Sequence, residues 1–328
     1  MHGTRWRRRG VLGGLAGALA APSLAAAADQ PFDVWLDGIA RKAAQQGIRR
    51  ETLQATLGGI YPLVDVLDLD RSQPEHRATF VEYRANHISD SRIEQGRALL
   101  EYHRDVLADI RARFRVPPEI IVALWGLESS YGERPGGFPV IPSLATLAYD
   151  GRRAAFFEGE LLHALAMVDR GSISPAEFLG SWAGASGQCQ FMPSTYVRYA
   201  VDYDRDGRAD IWTSRPDVFA SIANYLGRSG WADGYIWGRE VIAPSGIDGS
   251  LAGLDRKLPL AKWQALGVRA IDGSNLPKVR VNGSLLLTDD GEGPAFLVYE
   301  NFRTLMTWNR STYFALTAGL LMDSLGDG

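Results

Sequence analysis

Apolar positions along this chain recur mostly at helical spacing, and one dense run, residues 121 to 127, reads as a helix that ends on an acid, Glu128. Pro117 and Pro118 suit its start, where a missing N–H costs nothing, and Glu119 in the first turn complements the positive end of the helix dipole. Ile121, Leu124 and Glu128 are spaced so as to share one face. From Phe32 to about Arg115 the pattern is again helical, with Trp35, Ile39 and Ala43 in register and a long helix predicted over residues 89 to 113. An extended stretch is predicted over residues 64 to 75, broken by Pro74. Residues 239 to 295 change character: Val279-Arg280-Val281 and Leu285-Leu286-Leu287 alternate with Gly, Asn, Asp and Pro, as short strands would. From Phe302 to Leu325 the helical period returns, after Asn309.

These patterns predict an α+β fold that is mainly α. The division is a helical domain at 29–115, a helix-rich core with Gly/Pro punctuation at 116–238, a small β subdomain at 239–295, and a C-terminal segment at 296–328 returning to the core and the helical domain. No internal repeat is visible. With 328 residues, 46% hydrophobic and 22% charged, the chain can bury a sizeable core.

The N-terminus stands apart. Arg5, Arg7, Arg8 and Arg9 precede a weakly apolar Ala/Gly/Leu stretch and a small-residue run ending at Ala28, the layout of a secretory signal peptide over 1–28, compatible with general or twin-arginine export. Its removal takes away four arginines and no acid, so the formal charge moves from −3 to −7. Nucleic acid is thereby excluded as a partner, because phosphate binding needs clustered positive charge. The single cysteine, Cys189, excludes an internal disulfide and a multi-cysteine metal site, and is expected to be a small buried thiol. With no cysteine after the signal there is no lipid attachment point, so a soluble periplasmic product is expected. His76, His87, His103 and His163 lack zinc-site spacing, and no G-x-S-x-G elbow occurs.

Three blocks carry candidate chemistry. Glu128 leans toward apolar neighbours, and desolvation lets such a carboxyl keep a proton near neutrality and donate it. The segment from Ser181 to Ser194 combines small residues, which let backbone approach a ligand, with Trp182 as a stacking face and Ser181, Gln188 and Gln190 as uncharged hydrogen-bonding groups; a sugar needs that mixture. A glycine-rich turn with Pro193 opening the next helix is the alternative. Third, Asp202, Asp204 and Asp206 followed by Gly207 match the start of an EF-hand-type Ca²⁺ loop. Thr213 stands where a standard loop has its bidentate Glu, and Asp217 is the candidate to close a longer loop.

Together, Glu-Ser-Ser-Tyr-Gly at 128–132, the Ser181–Ser194 segment, the acidic loop at 202–212, Trp308-Asn309-Arg310-Ser311 and the stretch from Val66 to Glu75 resemble the membrane-bound lytic murein transglycosylase B family of peptidoglycan-cleaving enzymes. The resemblance implies a lysozyme-like helical core, flanked by a helical domain and a small β domain. It also implies Glu128 as sole acid/base, cleaving the β-1,4 bond between N-acetylmuramic acid and N-acetylglucosamine without water and leaving a 1,6-anhydro end. By position, Ser181 and Gln190 would bond the glycan, with Tyr131 and Asn309 lining the cleft. The metal loop would use Asp202, Asp204, Asp206, the Arg208 carbonyl and Asp217 around a structural Ca²⁺. Ser186, where members often carry Met, and Cys189, where Pro or Gly is usual, depart from the family pattern. Expected partners are peptidoglycan glycan strands and cell-wall synthesis or remodelling enzymes, with the protein a monomer. Two alternatives stand beside this: a lysozyme-type hydrolase using Asp150 or Glu133 as second carboxylate, and a non-catalytic cell-wall-binding scaffold.

Overall fold

A computed structural model describes residues 30–72 and 78–326. The expected signal segment lies outside the described residues, as do Pro74 and His76. Seven helices come first: α1 (Phe32–Gln45), α2 (Arg50–Leu57), α3 (Val64–Arg71), α4 (Phe80–His87), α5 (Asp90–Tyr102), α6 (Arg104–Phe114) and α7 (Pro118–Ser129). The central part follows as β1 (Phe138–Pro139), α8 (Val140–Asp150), α9 (Ala154–Asp169), β2 (Leu179–Gly180), α10 (Pro193–Tyr199) and α11 (Arg215–Arg228). The remainder is β3 (Gly238–Ile242), β4 (Leu258–Pro259), α12 (Leu260–Ala265), β5 (Arg269–Ala270), β6 (Asn282–Leu287), β7 (Ala295–Val298), α13 (Glu300–Trp308) and α14 (Thr312–Gly326).

The α1 stripe forms as its spacing predicts, burying Trp35, Leu36, Ile39 and Ala43. Residues 64 to 71 are helical rather than extended. Tertiary contacts override the local β preference of Val64 and Val66: Val66 is fully buried, and the buried Asp70 carboxylate holds Arg152 and Arg153 of the α8–α9 junction. The single helix predicted over 89 to 113 is two, parted at His103, whose ring packs edge-on against Phe219 at 5.1 Å and Trp125 at 6.3 Å. The break lets α6 turn onto α11 while the imidazole fills the corner.

Helix α7 is apolar all round and buried from Ile120 to Gly126, the signature of a helix at the centre of a core. Helix α14 lies against it. The last turns of the chain fit closely because residue 319 is glycine; a Cβ there would come within 2.3 Å of the Trp237 indole.

The sheet is antiparallel in order β4-β6-β7-β3-β5 and extends from 238 to 298, beyond the limits read from the sequence at both ends. Val279 to Val281 lie outside its strands, whereas Leu285 to Leu287 are in β6. Both faces are covered. Leu286, Phe296 and Val298 turn to the helical core, while Leu285, Ala295 and Leu297 turn to a satellite core with Trp263 of α12, the period of two expected of a pleated strand. Among the described residues, no helix is long and apolar enough to cross a membrane.

Candidate active site

Glu128 occupies the last turn of α7. The helix stops just after it because Ser130, Tyr131 and Gly132 all take left-handed backbone, with φ of 49°, 59° and 89°. Gly132 has no alternative: besides its φ, a Cβ there would lie 2.4 Å from the Gln188 Oε1. The Ser129 hydroxyl fastens this corner, donating to the Gln188 carbonyl at 2.7 Å and accepting from Gly132 N–H at 3.1 Å.

The Glu128 carboxyl is half-buried, and burial pushes it up to about 7; a hydrogen bond from Trp308 opposes that rise. Trp308 Nε1–H donates to Glu128 Oε1 at 2.7 Å. The indole is itself wedged between aromatic rings, with Tyr225 at 4.8 Å and Phe191 at 5.4 Å. Two further groups lie within reach of the Glu128 charge. The Tyr83 hydroxyl of α4 is raised by burial first and by that charge second, and the Cys189 thiol is raised in the same way. Cys189 is buried, as expected, and is no nucleophile in this state. Glu128 therefore faces groups from α4, the 181–192 segment and α13, three parts of the chain far apart in sequence.

The glycan-binding candidates divide. Ser181 is half-buried, and its Oγ accepts Ala185 N–H at 3.1 Å, leaving its own hydrogen free to donate. Gln190 sits at φ 48° and uses its amide hydrogens on the Pro135 and Gly187 carbonyls, at 2.8 and 2.9 Å, which leaves Oε1 as an acceptor. Trp182 is half-buried against the core edge. Asn309 caps α13, accepts Ser311 N–H at 2.9 Å and keeps its amide N–H groups.

Two others have different tasks from those expected. Gln188 is buried and engaged at both ends of its amide: Oε1 accepts from Trp125 Nε1 at 2.8 Å, Nε2 donates to the Trp212 carbonyl at 2.8 Å, and its backbone N–H reaches Ile211. It ties the 181–194 segment to α7 and to the loop beyond, and its burial keeps it inside the protein. Tyr131 is only 4% exposed, its ring edge-on to Trp125 and its hydroxyl donating to the Arg92 carbonyl at 2.8 Å, so it anchors α5 rather than lining a cleft.

The acidic loop brings carboxylate oxygens of Asp202, Asp204 and Asp217 within 4.8 Å of one another. Asp217 is fully buried and held by Tyr203 and Asp210 N–H groups, both at 2.7 Å. Asp206 stands outside the trio, its Oδ1 accepting Arg208 N–H at 2.9 Å, and the Arg208 side chain pairs with Asp210. Gly207, at φ 100°, makes the sharp turn.

Neither proposed second carboxylate acts on Glu128. Asp150 is paired with Arg71 at 2.8 Å, and Glu133 is exposed and accepts from Gln95 at 3.1 Å. A groove of about 450 Å³ lies elsewhere, beside Tyr235, Arg239 and Tyr299, but no acid lines it. Chemistry, not cavity size, marks Glu128. Sequence spacing missed Trp308 and Tyr83 as its neighbours; Trp308 is visible only as part of a motif 180 positions away.

Comparison with known proteins bears on this arrangement. A family model described as the transglycosylase SLT domain matches residues 31–323. The membrane-bound lytic murein transglycosylase B of Escherichia coli (strain K12) is 31% identical over 283 residues, spanning 83% of this chain and 77% of that protein. The crystal structure of SltB3 from Pseudomonas aeruginosa in complex with NAG-NAM-pentapeptide has a TM-score of 0.88 at 44% identity, covering 91% of this chain and 80% of that one. The complex of the same protein with NAG-anhNAM-pentapeptide gives 0.86, with the same identity and coverage. The Escherichia coli lytic transglycosylase Slt35 in complex with calcium gives 0.77 at 30% identity, covering 91% of this chain and 93% of that one.

Proposed function

The chain belongs to the transglycosylase SLT family and is a lytic murein transglycosylase, and on that premise we propose that Glu128 alone serves as acid and base of its reaction. The observation that carries this is a carboxyl held near about 7 by burial, with no second carboxylate acting on it. Protonated, Glu128 gives its proton to the oxygen bridging N-acetylmuramic acid and N-acetylglucosamine, and that bond breaks. Now a carboxylate, it takes the proton of the muramoyl C6 hydroxyl as that oxygen bonds to C1. Atoms balance without water, and the new end is a 1,6-anhydro sugar. A hydrolase would need a base to activate water, and the Asp150 and Glu133 carboxylates are engaged elsewhere. Positive charge developing at C1 is met by the substrate's own N-acetyl group.

Ser181 Oγ–H, Gln190 Oε1 and the Asn309 amide supply donors and an acceptor of the kind glycan hydroxyls and N-acetyl groups require. The substrate lies outside the cytoplasmic membrane, in keeping with the arginine-led N-terminal segment and a periplasmic site of action. Digesting purified peptidoglycan and weighing the fragments should yield ends one water lighter than hydrolysis gives. Reducing ends alone would refute the water-free route.

Asp202, Asp204 and Asp217 suit a structural Ca²⁺, since oxygens bound at about 2.3–2.6 Å around one ion are separated by no more than about 5 Å. The ion would neutralise three converging carboxylates and fix the loop leading into α11. Calcium added to chelator-treated protein should raise the melting temperature, by an amount that grows with its concentration. An unchanged melting curve would remove the ion from the account.

A further inference from the structure

We infer that Trp308 is the positioning residue of the acid: its indole N–H holds Oε1 of Glu128, so that both proton transfers run through Oε2. The inference rests on Glu128 being the acid. An indole nitrogen donates and cannot accept, so the oxygen facing it must present a lone pair. In the neutral carboxyl the carbonyl-type oxygen is the stronger acceptor, so the indole favours the proton on the other one. No donor among the described residues reaches Oε2, which leaves it to the substrate. The ring is kept in place by Tyr225 and Phe191, and Tyr225 is fixed in turn by donating to the Thr307 carbonyl at 2.6 Å. The contact is short enough to become charge-assisted once the proton has left, and so strengthens during the step in which a carboxylate forms.

Burial and the indole thus pull in opposite directions. Burial retains the proton; the N–H eases its departure. Of the other titratable groups around Glu128, Tyr83 and Cys189 are both raised and stay neutral through the range in which Glu128 ionises. Tyr225 is raised by burial as well, Arg310 is exposed, and His87 stacks on Tyr83 at 4.2 Å.

Trp308→Phe keeps the aromatic packing and removes the donor. Activity of the native enzyme should fail as pH rises through about 7, because the acid must be protonated. In the variant this alkaline limb of kcat/KM should move up by roughly one to two pH units, the equivalent of a hydrogen bond to a charged group. Phe191→Leu, which loosens one side of the packing and keeps the N–H, should lower the melting temperature and move the limb less than Trp308→Phe does. A Trp308→Phe enzyme that is slower with its limb unmoved would overturn the inference. If that variant does not fold, the intact protein still decides. One of its indole N–H signals should shift with the midpoint of the alkaline limb and lose that response in Glu128→Gln. No such signal would overturn the inference equally. Cleavage persisting in Glu128→Gln is a different result, and would refute the role of Glu128 itself.

Discussion

Glu128→Gln should cut the release of anhydro-muropeptides from purified peptidoglycan by about 10²–10⁴-fold, the range associated with losing a general acid. The substitution is nearly isosteric, and its carbonyl oxygen can still accept the Trp308 N–H, so the site keeps its shape and loses only its proton. Liquid chromatography with mass detection of the soluble fragments measures the loss. Activity close to that of the parent would instead support a scaffold whose wall binding is independent of the acid. Stability supplies a second signature with an unusual sign. The folded carboxyl titrates near about 7, above its ordinary value of 4.5. Below about 4.5 it is neutral in both states and the substitution changes nothing. As pH rises from there, the unfolded chain ionises first and gains, and above about 7 that cost to the fold is complete. The inactive variant should accordingly melt above its parent at pH 8 and together with it at pH 4, a stability gained by giving up a strained catalytic group.

Gln188→Leu should destabilise the protein by about 2–6 kcal/mol, since each of two buried polar groups left without a partner costs about 1–3 kcal/mol. The leucine fills similar volume but strands the Trp125 indole N–H and the Trp212 carbonyl, both of which Gln188 satisfies at 2.8 Å. Denaturant unfolding of parent and variant reads the difference. A sugar-binding glutamine would behave otherwise: its loss would raise KM and leave the unfolding midpoint where it was. That outcome would return Gln188 to the glycan site suggested by its segment.

What was legible in the sequence was local. Pro117 and Pro118 marked the start of α7, the apolar run marked its burial, and Glu128 at its end stood out because an acid among aliphatic side chains has few structural reasons to be there. The alternate spacing of Asp202 and Asp204 located two members of the acidic cluster, and Asp217 completes it while Asp206 falls outside. Residue type without context was the weak point. Gln188 and Gln190 lie two apart in a segment with the composition of a sugar site, yet one is buried with both ends of its amide bonded inside the protein and the other is half-buried and keeps an acceptor. Tyr131 likewise has the hydroxyl and ring of a cleft residue but closes a gap over Gly126, where a Cβ would meet its ring at 2.6 Å. The helix break at His103 and the helix over 64 to 71 follow from Phe219, Arg152 and Arg153, which no local window contains. The Trp308 contact belongs with these, as a pairing set by topology.

That pairing has a consequence for the order of assembly. The helix bearing the acid is complete by residue 129, but the indole that grips it arrives on α13, and α14 seals the back of α7 last. The segment that arms the enzyme is thus among the last to be synthesised. A chain lacking α13 and α14 would carry its glutamate ungripped and its central helix uncovered, so the acid is complete only when the C-terminal helices have packed.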